Sequence, residues 1–173
     1  MKFNKKLLIN IFIAAIAMIL VAVASPAKAE HAVGFAVGST RGVGATYRYL
    51  PDREDTSPWG WQVTGLPFIT PNEGTISAGG AVLYRFHQGN AGMAYASLGA
   101  GSLFMWDLCD MGDDLACNDE KHWGVGVGPG VGFDLRLVEN IALSVEIPLA
   151  LMFADGEFYG LYPVPNAALV YHW

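Results

Sequence analysis

Apolar side chains recur at every second position along extended stretches of this chain. From Trp123 they occupy Trp123, Val125, Val127, Pro129, Val131, Phe133, Leu135 and Leu137; the positions between are glycine from Gly124 to Gly132, then Asp134 and Arg136. A period of two puts alternate side chains on opposite faces of a β-strand. The next stretch repeats it, with Ile141, Leu143, Val145, Ile147, Leu149, Leu151 and Phe153 on one face and Ala142, Ser144, Glu146, Pro148 and Ala150 on the other. Val138, Glu139 and Asn140 leave room only for a tight turn between the two. The alternation is weaker upstream and predicts strands at about 31–38, 43–50, 59–66, 75–86, 92–106, 122–137, 141–153 and 165–173. Eight is the smallest usual strand number for a closed transmembrane barrel.

The small and polar face decides which side meets water. A soluble barrel would turn its row of five glycines toward solvent, whereas small residues suit the narrow lumen of an eight-stranded barrel. That face also carries Arg48, Gln62, Thr64, Arg85, Asp134, Arg136, Glu146 and His172, a polar set able to pair internally. Three strands end alike, in Tyr47-Arg48-Tyr49-Leu50, Tyr84-Arg85-Phe86 and Leu135-Arg136-Leu137, each an inward arginine between outward apolar residues. With periplasmic termini these strands descend, and Tyr47, Tyr49, Trp59, Trp61, Tyr84, Phe86, Tyr171 and Trp173 form a lower aromatic girdle. Trp106, Trp123, Phe153, Phe158 and Tyr159 form the other rim.

Composition agrees with a lipid-facing exterior. The chain is 53% hydrophobic, yet beyond the first 29 residues no apolar run is long enough to cross a membrane as a helix. A membrane protein without spanning helices must close its sheet, because only closure satisfies every backbone group in lipid. Residues 1–29 read as a cleavable signal peptide: Lys2, Lys5 and Lys6, then the apolar run Ile11 to Ala24, then Ala27-Lys28-Ala29. The remainder, 30–173, is expected to be one barrel domain. It keeps 6 of the 10 basic residues and all 16 acidic ones, a balance of −10 that excludes nucleic acid as a partner. Lys121 is its only lysine, where a water-exposed surface would carry many.

At the end of the chain Leu169, Tyr171 and Trp173 alternate with Ala168, Val170 and His172. This amphipathic strand, stopping on an aromatic residue, resembles the C-terminal signal by which outer-membrane barrels are recognised for assembly. Signal peptide, alternating strands and terminus together resemble the small eight-stranded outer-membrane β-barrel superfamily of OmpX-like and OmpA transmembrane-domain type. The resemblance covers 30–173 and implies an all-β, antiparallel up-and-down transmembrane barrel. It further implies the outer membrane of a Gram-negative bacterium, contact with outer-membrane lipids and lipopolysaccharide, and delivery by the barrel assembly machinery. A monomer is expected.

Two features could carry chemistry. Asp107, Asp110, Asp113, Asp114, Asp119 and Glu120 share one segment with Cys109 and Cys117, whose spacing suits a disulfide in an exported chain. The acids match no EF-hand spacing; they read as a solvated loop or as ligands for a divalent ion bridging lipopolysaccharide phosphates. Pro129 and Pro148 fall at nearly the same height on neighbouring strands, and proline donates nothing to a ladder. They read as a tolerated bulge or as a gap in the wall, the latter resembling the lateral opening of the lipid A palmitoyltransferase barrel. That enzyme's other residues have no counterparts here: Ser39 to Gly42 holds no histidine and Ile69 to Gly74 no Asp-Ser pair. Of the histidines only His122 lies near acids, with Ser102 across the loop able to approach it. No cofactor and no catalytic residue is expected. The sequence thus predicts a non-enzymatic barrel with a structural, adhesive or surface-interaction role carried by the acidic loop and by the loop Ala154 to Val164. The alternative is a lipid-modifying enzyme or carrier of small apolar ligands with lateral access at the two prolines.

Overall fold

The structure is a computed structural model describing residues 30–51, 57–69, 73–89, 91–107 and 121–173. The expected signal peptide over 1–29, both cysteines, and Asp110, Asp113, Asp114, Asp119 and Glu120 lie outside the described residues. The backbone of Asp107 is described as the end of a strand, its side chain is not.

Among the described residues nine strands occur: β1 (Glu30–Gly38), β2 (Gly42–Leu50), β3 (Trp59–Ile69), β4 (Glu73–Gln88), β5 (Gly92–Asp107), β6 (Lys121–Val138), β7 (Ile141–Ala154), β8 (Glu157–Pro163) and β9 (Asn166–His172). Neighbours in sequence pair antiparallel from β1 to β7, and β9 pairs with both β1 and β7, which closes the sheet. β8 and β9 lie end to end along β7 and make one stave, interrupted at Val164-Pro165, so the barrel has eight.

This corrects one expectation. Ala154 to Val164 is not a loop: Asp155-Gly156 forms a two-residue hairpin turn between Ala154 and Glu157, and the chain returns directly as strand β8. Asp155 takes φ 50° and Gly156 φ 88°, left-handed values that the Asp-Gly pair tolerates and that match the twist of a hairpin.

The alternation sets the two faces as predicted. Outward positions such as Phe35, Val63, Leu98, Val131, Phe133, Ile147 and Leu169 are large, apolar and exposed, whereas inward Ala32, Ala36, Thr46, Ala81, Asp134, Ala142 and Ala150 are buried. Such an inside-out distribution is stable only where the outside meets lipid. At the end carrying the termini, His31, Tyr47, Tyr49, Trp61 and Trp173 touch in a continuous aromatic cluster, and Trp59 meets Tyr84 edge-on at 4.9 Å. At the other end Phe104 packs on Trp106 and Phe153 on Phe158. On β7 the two girdles are separated by the stretch from Ile141, opposite Tyr171, to Phe153, opposite Phe158. That length matches the roughly 9 to 11 tilted residues that cross a bilayer.

Candidate functional site

The β1–β2 hairpin is shorter than its neighbours, and its tip does not stand up from the wall. Gly42, at φ 75°, turns the chain so that Ser39, Thr40 and Arg41 fold into the lumen. The Val43 amide leaves β3 and donates instead to Ser77 Oγ on β4 at 2.8 Å. Glycines on three consecutive strands make the space. A methyl group at Gly79 would lie 2.2 Å from the Arg41 carbonyl oxygen, at Gly101 2.6 Å from the Gly42 nitrogen, and at Gly126 2.5 Å from the Ser39 carbonyl oxygen. These three glycines are cross-strand partners, Gly79 to Gly101 and Gly101 to Gly126. They form a level groove across the inner wall into which a backbone segment fits.

Below this tip the lumen is filled by charge. Arg41, 1% exposed, pairs with Glu146, 2% exposed, and also donates to Gln62 Oε1 (3.0 Å) and to the Tyr95 hydroxyl (2.7 Å). Arg48 pairs with Asp134 and donates to Gln62 Oε1 (2.9 Å) and Ser144 Oγ (3.0 Å). The Tyr95 ring lies between the two guanidinium groups, 5.5 and 5.6 Å from its centre, and Gly132 leaves the room that ring needs. Asn166 Nδ2 ties the tip down by donating to Thr40 Oγ1 (2.8 Å) and to Glu146 Oε1 (3.1 Å). Two arginines and two carboxylates cancel, so the cluster carries no net charge through the lumen. Chains of such bonds reinforce one another in a low-dielectric interior.

Of the residues predicted to lie inside, Arg48, Asp134 and Glu146 are buried in this cluster. Arg85 and His172 are half-buried. Arg136 departs from the expectation in burial: it is still paired with Ala142 and lines the lower mouth beside Asp134, but stands exposed there at the end of the strand, where the β6 register shifts between Arg136 and Val138. Arg136, His172, Asp134, Leu50, Gln88 and Met93 line a mouth cavity of about 60 Å³, far below the ~300 Å³ of a small-molecule site. Leu169 is exposed to the lipid side, while Tyr171 and Trp173 are half-buried at the lower girdle.

At the two prolines the β6–β7 ladder runs from Gly124 to Val127 and resumes at Gly130 opposite Pro148. The wall is nevertheless in contact across this lapse, since a methyl at Gly128 would sit 2.1 Å from the Leu149 carbonyl oxygen. Pro129 remains paired with Leu98 on β5, and Leu149 with Pro163 on β8.

The chemistry available is limited. Ser144 Oγ meets Arg48 and the Tyr95 hydroxyl (2.9 Å), neither a general base at neutral pH. Ser102 points outward with its hydroxyl on the Ala78 carbonyl (3.3 Å), away from His122, so the approach allowed by the sequence is not formed. Among the described residues no three His, Cys, Asp or Glu side chains converge on a metal position. His122 instead meets Asp155 at 3.1 Å at the upper rim, where Asp155 also accepts the Trp123 amide at 2.9 Å. The Trp123 amide, then His122, hold the Asp155 carboxyl below its usual 3.8. A lowered carboxyl stabilises the fold above its unfolded pKa and loses that contribution as pH falls through the folded value. Hydrogen exchange at the Trp123 amide is therefore expected to stay slow from neutral pH down to the ordinary carboxylate range and to accelerate below it, beyond the intrinsic pH trend. In Asp155→Asn that acid transition disappears.

A closed ring of eight antiparallel staves, an apolar exterior between two aromatic girdles and a packed polar interior now stand together. This is the architecture of the small outer-membrane β-barrels. No protein-family model and no curated sequence matches the chain. Among solved structures it is similar to the N-terminal β-barrel domain of Pseudomonas aeruginosa OprF, with 11% identity, TM-score 0.46, 84% of this chain and 96% of that one covered. It is also similar to Acinetobacter baumannii CarO (13%, TM-score 0.40, 83% and 97%) and to Neisserial surface protein A (14%, TM-score 0.35, 82% and 90%).

Proposed function

We propose that this barrel is a non-enzymatic protein of a Gram-negative outer membrane whose role is structural, adhesive or otherwise exercised at its surface. The observation that carries the reading is the blocked lower lumen: among the described residues the ion-paired cluster of Arg41, Arg48, Asp134 and Glu146 under an inward-folded tip leaves no conduit through the barrel, and the mouth beneath it opens on a cavity of only about 60 Å³. Recognition is then left to the rim opposite the termini. The segment between β5 and β6, with Asp107, Asp110, Asp113, Asp114, Asp119 and Glu120 and a Cys109–Cys117 disulfide, is its most charged part; divalent ions bridging those acids to lipopolysaccharide phosphates fit its charge.

In this reading residues 1–29 are removed on export, the assembly machinery recognises the strand ending in Leu169, Tyr171 and Trp173, and the barrel stands as a monomer in lipid and lipopolysaccharide. Contact across the wall at Pro129 and Pro148 weighs against lateral access there. Cell fractionation tests the assignment. The mature chain is expected in outer-membrane vesicles and to migrate differently on gels before and after boiling, as a closed barrel does. Recovery in the soluble periplasm alone would overturn the reading.

A further inference from the structure

Because the β1–β2 hairpin ends low and folds inward, the wall above it is missing. The β2–β3 ladder stops at Ala45 opposite Gly65, so Leu66 to Ile69 of β3 pair only with β4. The β1–β9 ladder stops at Val37 opposite Ala167, and β8 pairs only with β7. Among the described residues, then, two free strand edges face each other across the place where two staves are absent, about 14 Å at three strand spacings of ~4.8 Å. This notch lies at membrane depth: Phe158 on β8 belongs to the upper girdle, whereas Leu161 and Pro163 lie below it, opposite the lipid-facing Leu151 and Leu149.

Inside the notch the lumen changes character. Below the tip the inward side chains are buried and include the charged cluster; above it they are mostly apolar and half-buried or exposed, with Thr75 and, at the rim, His122 as polar neighbours. Continuous pairing makes Leu66, Phe68, Leu103, Met105, Met152 and Tyr162 inward-facing, by register with buried Gln62, Ser77 and Ala150. Met105 is 41% and Tyr162 49% exposed. The tip is their floor, since the Ser39 carbonyl and Met152 both crowd the Gly126 position. Free backbone groups cannot face hydrocarbon alone, so an occupant needs hydrogen-bonding atoms at the strand edge as well as an apolar tail.

We infer that this notch is a lateral lipid site: one acyl chain of a lipid in the adjoining leaflet enters the upper lumen over Leu66, Phe68, Met105 and Tyr162. Its ester or amide region meets the free edge of β8 beside Phe158, at the depth where the interface lies. The site is continuous with the lipid-facing apolar band through Val37, Val63, Ile69 and Leu161, which flank the opening on the outside. It rests on the membrane-barrel reading, and it places lateral access at β3 and β8, away from the two prolines.

Nitroxide labels on the barrel in phosphatidylcholine vesicles test it, with Cys109 and Cys117 replaced by serine and folding checked by heat-modifiable migration. Leu161→Cys faces the bilayer, while Tyr162→Cys and Met105→Cys face the notch from opposite walls. The expected result is that labels at 162 and 105 collide readily with dissolved oxygen and poorly with an aqueous nickel chelate, as the label at 161 does. Nickel access at 162 and 105 with oxygen access at 161 would mean a water-filled cup and overturn the lipid site. Nickel access at 161 as well would sink the membrane reading itself, and the proposal with it.

Discussion

Replacing Arg41 with alanine is expected to destabilise this barrel by about 3 to 5 kcal/mol, the range for removing one partner of a buried ion pair. The cost arises from what stays behind. Glu146 would keep its carboxylate, 2% exposed, with only Asn166 to satisfy it, and Gln62 and the Tyr95 hydroxyl would each lose a donor. Urea unfolding of the folded barrel in vesicles measures this. The design of the cluster also predicts a rescue: adding Glu146→Gln to Arg41→Ala removes the orphaned charge and should recover much of the loss. Arg41→Lys keeps the charge but cannot reach Glu146, Tyr95 and Gln62 at once, and should fall between. A cost near zero for Arg41→Ala would mean that the hairpin tip is not seated in the lumen.

The second large effect belongs to the outside. Val131→Arg places a cation at a position that is 56% exposed and lies midway along β6. A charge at the bilayer midplane costs a barrel about 2 to 4 kcal/mol, falling toward zero near the interfaces. The same substitution at Trp123, on the upper girdle, should therefore cost much less in charge burial, although it also forfeits an interfacial aromatic. Unfolding in vesicles would show Val131→Arg well below the parent, while in a soluble barrel arginine on a solvent-facing strand would be close to neutral.

Much of this was legible in the sequence because a period of two is a physical constraint on a sheet with lipid on one side. Seven staves and the lower half of the eighth, their facing, both girdles and the burial of Arg48, Asp134 and Glu146 follow from it. Two things did not follow. Arg41 sits in a three-residue turn between β1 and β2, where no periodicity assigns a face, so its place at the centre of the lumen had no direct mark. An indirect mark existed: Gly79, Gly101 and Gly126 stand at one level on three adjoining strands, and a level row of missing side chains signals backbone packed against the wall. The upper half of the last stave reads as a loop in the sequence, where Pro163 and Pro165 interrupt the alternation. Asp155-Gly156 between alternating residues was the signal for a hairpin there.

A tip that folds inward fills the lower lumen and, by the same movement, removes two staves from the upper wall. The closed interior and the lateral notch are one structural fact seen from two sides.

The seating of Arg41 in the lumen underlies both the closed interior and the notch, and solution NMR of the folded barrel in lipid nanodiscs reads it most directly. Slowly exchanging guanidinium protons on Arg41 with nuclear Overhauser contacts to the Tyr95 ring are expected, with no broadening of these signals by a water-soluble paramagnetic agent. Fast exchange with water, no contact to Tyr95 and strong paramagnetic broadening would contradict it.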